Sequence, residues 1–130
     1  MASLILGLQL LEPAGAVAPS TEYSEPELTA EKSIEELIVE TFPEKPELFL
    51  AIAKAESNLN PRAYNPEAHR GCNGSYSLLQ VACVHYEKRG IYGEDRFDVK
   101  INLQVAREVY DESGVRAWGA FTNQSYLKHL

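Results

Sequence analysis

Basic residues, cysteine and long apolar runs are all scarce in this sequence. Twelve Lys and Arg stand against 19 Asp and Glu in 130 residues, for a formal net charge of -7 and a sequence pI near 4.9. No basic stripe is present to neutralise phosphates, which argues against a dedicated nucleic-acid binder. Two cysteines cannot frame a disulfide-dense miniprotein. No apolar run approaches the roughly 20 residues that span a bilayer, so no integral membrane segment is expected. Alternating apolar and polar positions never persist beyond three or four residues, so the chain reads as mainly helical rather than β. Collagen and wholesale disorder are excluded by a composition of 45% hydrophobic and 24% charged residues. Gly71-Cys72-Asn73-Gly74-Ser75 is glycine-rich but lacks the Lys-Ser/Thr ending of a phosphate loop.

What remains is room for one domain with a real core, since a chain of this length buries about two-thirds of its unfolded surface. The acidity sits at the front. Residues 1–47 hold ten acidic and two basic residues; residues 48–130 hold nine and ten. Residues 1–20 join an apolar stretch, Leu4 to Leu11, to small residues around Ala14-Gly15-Ala16, the outline of a secretory signal. The basic leading region is missing, and Glu12 and Pro13 interrupt the run, so a mobile N-terminal tail or a partner-docking strand competes with that reading. Pro19, Pro26 and several Glu then read as a linker. The expected organisation is a tail over residues 1–28 and a helical domain over residues 29–130.

Ser33 with Glu36 forms a capping box, and Ile34, Leu37, Ile38 and Phe42 follow at helical spacing. Pro43-Glu44-Lys45-Pro46 breaks the chain and opens a helix over 46–57, proline being tolerated in a first turn. Asn58 to Gly74 is polar and turn-rich. A third helix is predicted from Tyr76 to Lys88, closed by Gly90. A fourth starts after Asp98, carries Ile101, Val105 and Val109 on one stripe, and ends at Gly114. A short helix near Val115–Phe121 and a turn around Tyr126 finish the chain.

Within the helix over 46–57, Phe49, Ile52 and Ala53 precede Glu56 by seven, four and three residues and share its face. A carboxyl at the end of an apolar stripe has its pKa raised by burial. Kept protonated near neutral pH, it can serve as a general acid. A glutamate pointing outward from the edge of an amphipathic helix is the plainer alternative.

Ala53-Lys54-Ala55-Glu56-Ser57-Asn58-Leu59-Asn60-Pro61-Arg62-Ala63 resembles the first motif of lytic transglycosylases and goose-type lysozymes. Gly74-Ser75-Tyr76-Ser77-Leu78-Leu79-Gln80-Val81 is similar to the second motif, Gly-Ser-x-Gly-Leu-Met-Gln-Ile. Asp98-Val99-Lys100-Ile101-Asn102 resembles the family's Asp-x-x-x-Asn entry to the next helix. Trp118 and Tyr126 stand where related chains carry cleft aromatics. Ser77 and Leu79 depart from the usual Gly and Met. A Tyr-Asn-Ala-Gly motif is replaced by Ala117-Trp118-Gly119-Ala120-Phe121.

The resemblance implies a single small lysozyme-like domain that cleaves the β-1,4 bond between N-acetylmuramic acid and N-acetylglucosamine in peptidoglycan. Glu56 would protonate the leaving oxygen and then act as base on the sugar's own 6-hydroxyl, with no cofactor. Ser75 and Gln80 would line the cleft floor, and Tyr126 would reach toward Glu56 or the scissile sugar. Ser75 reads equally as a helix N-cap, Trp118 as core or sugar platform, and Tyr126 as core. Glu67 and Asp98 are the candidates for a second acid, with a loop residue and a helix cap as their plain readings. A hydrolytic muramidase and a non-catalytic glycan-binding module are the alternatives. Peptidoglycan strands are the expected partner, and a secreted or cell-envelope location the expected site of action.

Cys72 and Cys83 flank the Asn73-Gly74 turn, and a disulfide between them would pin that loop to the next helix. Free thiols compete with it, as does a metal site with His69 and His85. The close spacing of Cys83 and His85 disfavours shared ligation on a helix, so no metal is expected.

Overall fold

The computed structural model describes residues 31–69 and 71–130. The proposed export signal, tail or docking strand over residues 1–28 lies outside them, as does the side chain of His69. The fold is mainly α, with a small antiparallel sheet.

Helix α1, Ile34–Thr41, starts where its sequence says it should. The Ser33 N–H donates to Glu36 Oε1 at 2.8 Å and the Glu36 N–H to Ser33 Oγ at 3.1 Å, which satisfies two otherwise orphaned groups. Helix α2, Pro46–Ser57, has proline in its first turn and is closed by Asn58 in the left-handed region, φ 55°. Asparagine tolerates that conformation better than most side chains. The two helices meet through Phe42 and Phe49, stacked with ring centroids 3.7 Å apart, and Tyr110 closes on both edge-on. Across the same seam Arg107 pairs with Glu44 at 2.7 Å. That hydrogen-bonded guanidinium holds the Glu44 carboxyl down at about 2.

The polar stretch after α2 is not all loop. Tyr64–His69 (β1) and Cys72–Tyr76 (β2) form an antiparallel hairpin, and β2 pairs on with Val81–Ala82 (β3). Asn65 lies opposite Ser75, and the register shifts between Asn65 and Ala68. Gly74 is obligatory in β2. At φ 105° a Cβ there would stand 2.5 Å from the Tyr64 ring and 2.8 Å from the Tyr76 hydroxyl.

The predicted helix from Tyr76 to Lys88 is overturned in its first half. Tyr76 ends a strand, Ser77–Gln80 form a tight turn, and the helix, α3, is only Cys83–Glu87. Ser77 and Gln80 both adopt positive φ, 70° and 46°. The reason lies on another element. Asn102 is fully buried, donates through Nδ2 to the Tyr76 carbonyl and the Tyr86 hydroxyl, and accepts the Leu79 N–H. It thus takes the backbone groups that a helix would have used internally.

Helix α4, Val99–Ser113, is capped by Asp98, whose carboxylate accepts the Ile101 N–H at 3.0 Å, and ends at Gly114 with φ 76°. A 3-10 turn, Val115–Ala117, leads to the short helix α5, Gly119–Thr122, and another 3-10 turn, Ser125–His129, packs on α2. The compact unit runs from Ser33 to Leu130. Its core gathers Phe42, Phe49, Ile52, Leu78, Leu79, Tyr86, Val105 and Trp118. Each large apolar side chain buried there contributes about 1.5–3 kcal/mol. Among the described residues no helix is long and apolar enough to cross a membrane.

Candidate active site

The apolar face of α2 is buried as its spacing predicts: Phe49, Ile52 and Ala53 are fully covered. Glu56, at the end of that stripe, is partly buried and lines a cleft of about 340 Å³. Its Oε2 accepts the backbone N–H of Ala120, in the first turn of α5, at 3.0 Å. Burial raises the Glu56 pKa above the usual carboxylate value. The Ala120 N–H pulls it back down, and the charge of Glu67 pushes it further up, with a net rise. Oε2 is thus the carboxyl oxygen that the protein holds by a hydrogen bond.

Gln80 lines the cleft from the 77–80 turn. Its Nε2 donates to the carbonyls of Ala63, at 3.1 Å, and Ser77, at 3.0 Å. Both amide protons are therefore committed, and the group that Gln80 offers a ligand is its acceptor oxygen. The partners of this amide are backbone carbonyls rather than Glu56. Ser75 also lines the cleft, but from strand β2 opposite Asn65. It is not a helix N-cap, because no helix starts there.

Trp118 is 4% exposed and its indole N–H donates to the Leu79 carbonyl at 2.8 Å. It meets Phe49 edge-on at 5.2 Å. It lines the cleft, but at this burial its ring face is taken up by the core rather than open as a stacking platform for a sugar ring. Tyr126 stacks on Phe121, centroids 5.2 Å apart, and is not among the residues lining the cleft. Asp98 is occupied as the cap of α4. Glu67, by contrast, sits on β1 and lines the same cleft as Glu56.

Cys72 and Cys83 form a disulfide that ties the start of β2 to the start of α3. Both cysteines are thereby committed to each other.

Several residues of the site escape a reading of the sequence. Asn65 and Glu67 reach the cleft only because Tyr64–His69 pairs as a strand. His85 projects into it from α3. Ser57 Oγ donates to the Leu78 carbonyl at 2.8 Å and contacts the Ala53 carbonyl at 3.1 Å, binding the end of α2 to the turn that carries Gln80. Its signal was its place next to Glu56 in the first motif. The Ala120 N–H had no signal, since a backbone donor leaves none in a sequence.

The family model of the transglycosylase SLT domain matches residues 39–113, more than half of the chain. The match spans Glu56, Ser75, Gln80 and both cysteines and ends short of Trp118, Ala120 and Tyr126. No curated protein and no solved structure matches the chain significantly.

Proposed function

The chain belongs to the transglycosylase SLT domain family, whose enzymes cleave glycosidic bonds of peptidoglycan, and from that premise we propose a lytic transglycosylase acting through Glu56. The observation that carries the reading is the state of this one carboxyl. It lines a cleft of sugar-binding size, is partly shielded from water, and has one oxygen anchored by Ala120.

In this reaction the Glu56 proton passes to the bridging oxygen as the β-1,4 bond between N-acetylmuramic acid and N-acetylglucosamine breaks. The resulting carboxylate then takes the proton of the muramyl 6-hydroxyl, whose oxygen closes on the anomeric carbon. The product carries an anhydro end, no water is consumed, and Glu56 regains its proton. Anchoring of Oε2 keeps Oε1 as the group that serves both steps. Gln80, with its oxygen free, accepts from a sugar hydroxyl or amide, and Ser75 and Asn65 add polar contacts on the facing hairpin.

Glu67 favours a second reading, a muramidase that adds water, because two carboxylates in one cleft meet the general requirement for hydrolysis. The disulfide and the wall substrate both suit an extracytoplasmic protein. Mass spectrometry of sacculi digested by wild type and by Glu56→Gln tests the proposal. Products one water lighter than hydrolytic muropeptides, absent with the variant, support transglycosylation. Hydrated ends that vanish with Glu67→Gln support the muramidase. Unchanged products from Glu56→Gln remove Glu56 from the chemistry.

A further inference from the structure

His85 is the one residue among the described lining of the cleft that can carry a positive charge. The ionisable groups that share this wall are both carboxyls, Glu56 and Glu67. A muramyl glycan is itself anionic, through the lactyl carboxylate where no peptide is attached or through the carboxylates of its stem peptide, so the charge of Glu67 would repel it.

The backbone that carries His85 is held from both sides. Two residues earlier, Cys83 is bonded to Cys72. Four residues later, Arg89 donates from its guanidinium to the His85 carbonyl at 2.8 Å. That guanidinium is gripped in turn by Glu108 and Glu112 of α4. Helix α3 has only five residues, and these ties hold the backbone that presents the His85 side chain to the cleft.

We propose that His85 is a specificity-determining residue that receives a carboxylate of the muramyl unit and so selects wall glycan over neutral amino-sugar polymer. The proposal rests on the peptidoglycan reading of the same cleft and names the part of the substrate that is recognised.

The test uses the full chain with soluble fragments of three kinds, at mildly acidic pH. These are a neutral N-acetylglucosamine oligomer, a peptide-free muramyl glycan that keeps the lactyl carboxylate, and the same glycan with its peptides. Wild type, His85→Gln and His85→Lys are compared in cleavage kinetics, and in binding on a Glu56→Gln background. His85→Gln is expected to raise KM about tenfold for the carboxylate-bearing fragments, the size of one charge-assisted hydrogen bond. The loss should fall on KM rather than kcat, be far smaller for the neutral oligomer, and be recovered by His85→Lys. Loss on the peptide-free glycan assigns the lactyl carboxylate, and loss confined to the peptide-bearing glycan assigns the stem. An equal loss on all three fragments, or none, with wild type active, overturns the assignment to His85. A wild type that neither binds nor cleaves wall fragments overturns the activity itself.

Discussion

The carboxylate of Glu56 and the backbone N–H of Ala120, 64 positions apart in the chain, meet at 3.0 Å. This contact joins the last turn of α2 to the first turn of α5. It holds one oxygen of a carboxyl that lines the cleft. The opposing influences on the Glu56 proton, burial above and the N–H below, are both consequences of this docking.

Glu56→Gln should abolish cleavage and raise thermal stability at neutral pH. The folded state raises the Glu56 pKa, while the unfolded chain ionises near the ordinary value of 4.5. The stability contributed by the protonated form is complete below that value and is lost as pH rises through the folded pKa. The substituted amide does not ionise. Melting temperatures of the two proteins should therefore lie closest at acid pH and separate, in favour of the variant, toward neutrality. A separation that grows toward acid instead would contradict the assigned environment.

Glu67→Gln should move the alkaline limb of the pH–rate profile downward. The Glu67 charge helps keep the Glu56 proton in place, and in the proposed reaction Glu56 acts first as an acid, so rate falls as pH rises through its pKa. Removing the charge lowers that pKa. Profiles of kcat/KM for wild type and variant provide the measurement, and an unshifted limb would remove Glu67 from this role.

Ser77→Gly should stabilise the fold. Ser77 holds φ 70°, which costs a side-chain-bearing residue about 1–2 kcal/mol, and its buried Oγ has no hydrogen-bond partner. Glycine removes both penalties and adds about 0.5–1 kcal/mol of unfolded-state entropy. A net gain near 1 kcal/mol corresponds to roughly 4–8 °C in Tm for a domain of this size. A lower Tm in a thermal melt would show that the hydroxyl is needed. The family's usual Gly at this position is explained by the same backbone angle.

Asn102→Leu should destabilise by roughly 2–4 kcal/mol, because it leaves the Leu79 N–H and the Tyr76 carbonyl buried without their partner. Urea unfolding should report the loss. Activity should fall as well, since the turn that Asn102 holds is the one that presents Gln80.

The Cys72–Cys83 bond closes a short loop, for which about 3 kcal/mol of stabilisation is expected. Mass spectrometry of the non-reduced protein should show these two residues linked, and reduction should lower Tm. Two alkylatable thiols in the native protein would contradict the pairing.

Much of the helical frame was legible locally. Ser33 and Glu36 mark the start of α1, Pro46 opens α2, and Asp98 and Gly114 bound α4, because caps and breakers act within a few residues of themselves. The spacing of Phe49, Ile52, Ala53 and Glu56 put the carboxyl at the end of the apolar stripe, while leaving an outward-pointing glutamate as the plainer alternative. The hairpin was not legible. Tyr64–His69 shows no clean alternation, and its register shifts within the strand, so its pattern does not declare a period of two. The Tyr76–Gln80 stretch reads as helix by periodicity and is a strand end and turn because Asn102, 22 residues after Gln80, claims its backbone.

Sequence alone determined that Glu56 shares the apolar face of α2, since helical spacing dictates which side chains lie together. Tertiary structure decided what surrounds it. Asn65 and Glu67, His85 and the Ala120 N–H come from three separate segments. Their meeting depends on strand pairing and helix docking, which are long-range interactions that no local window of sequence records.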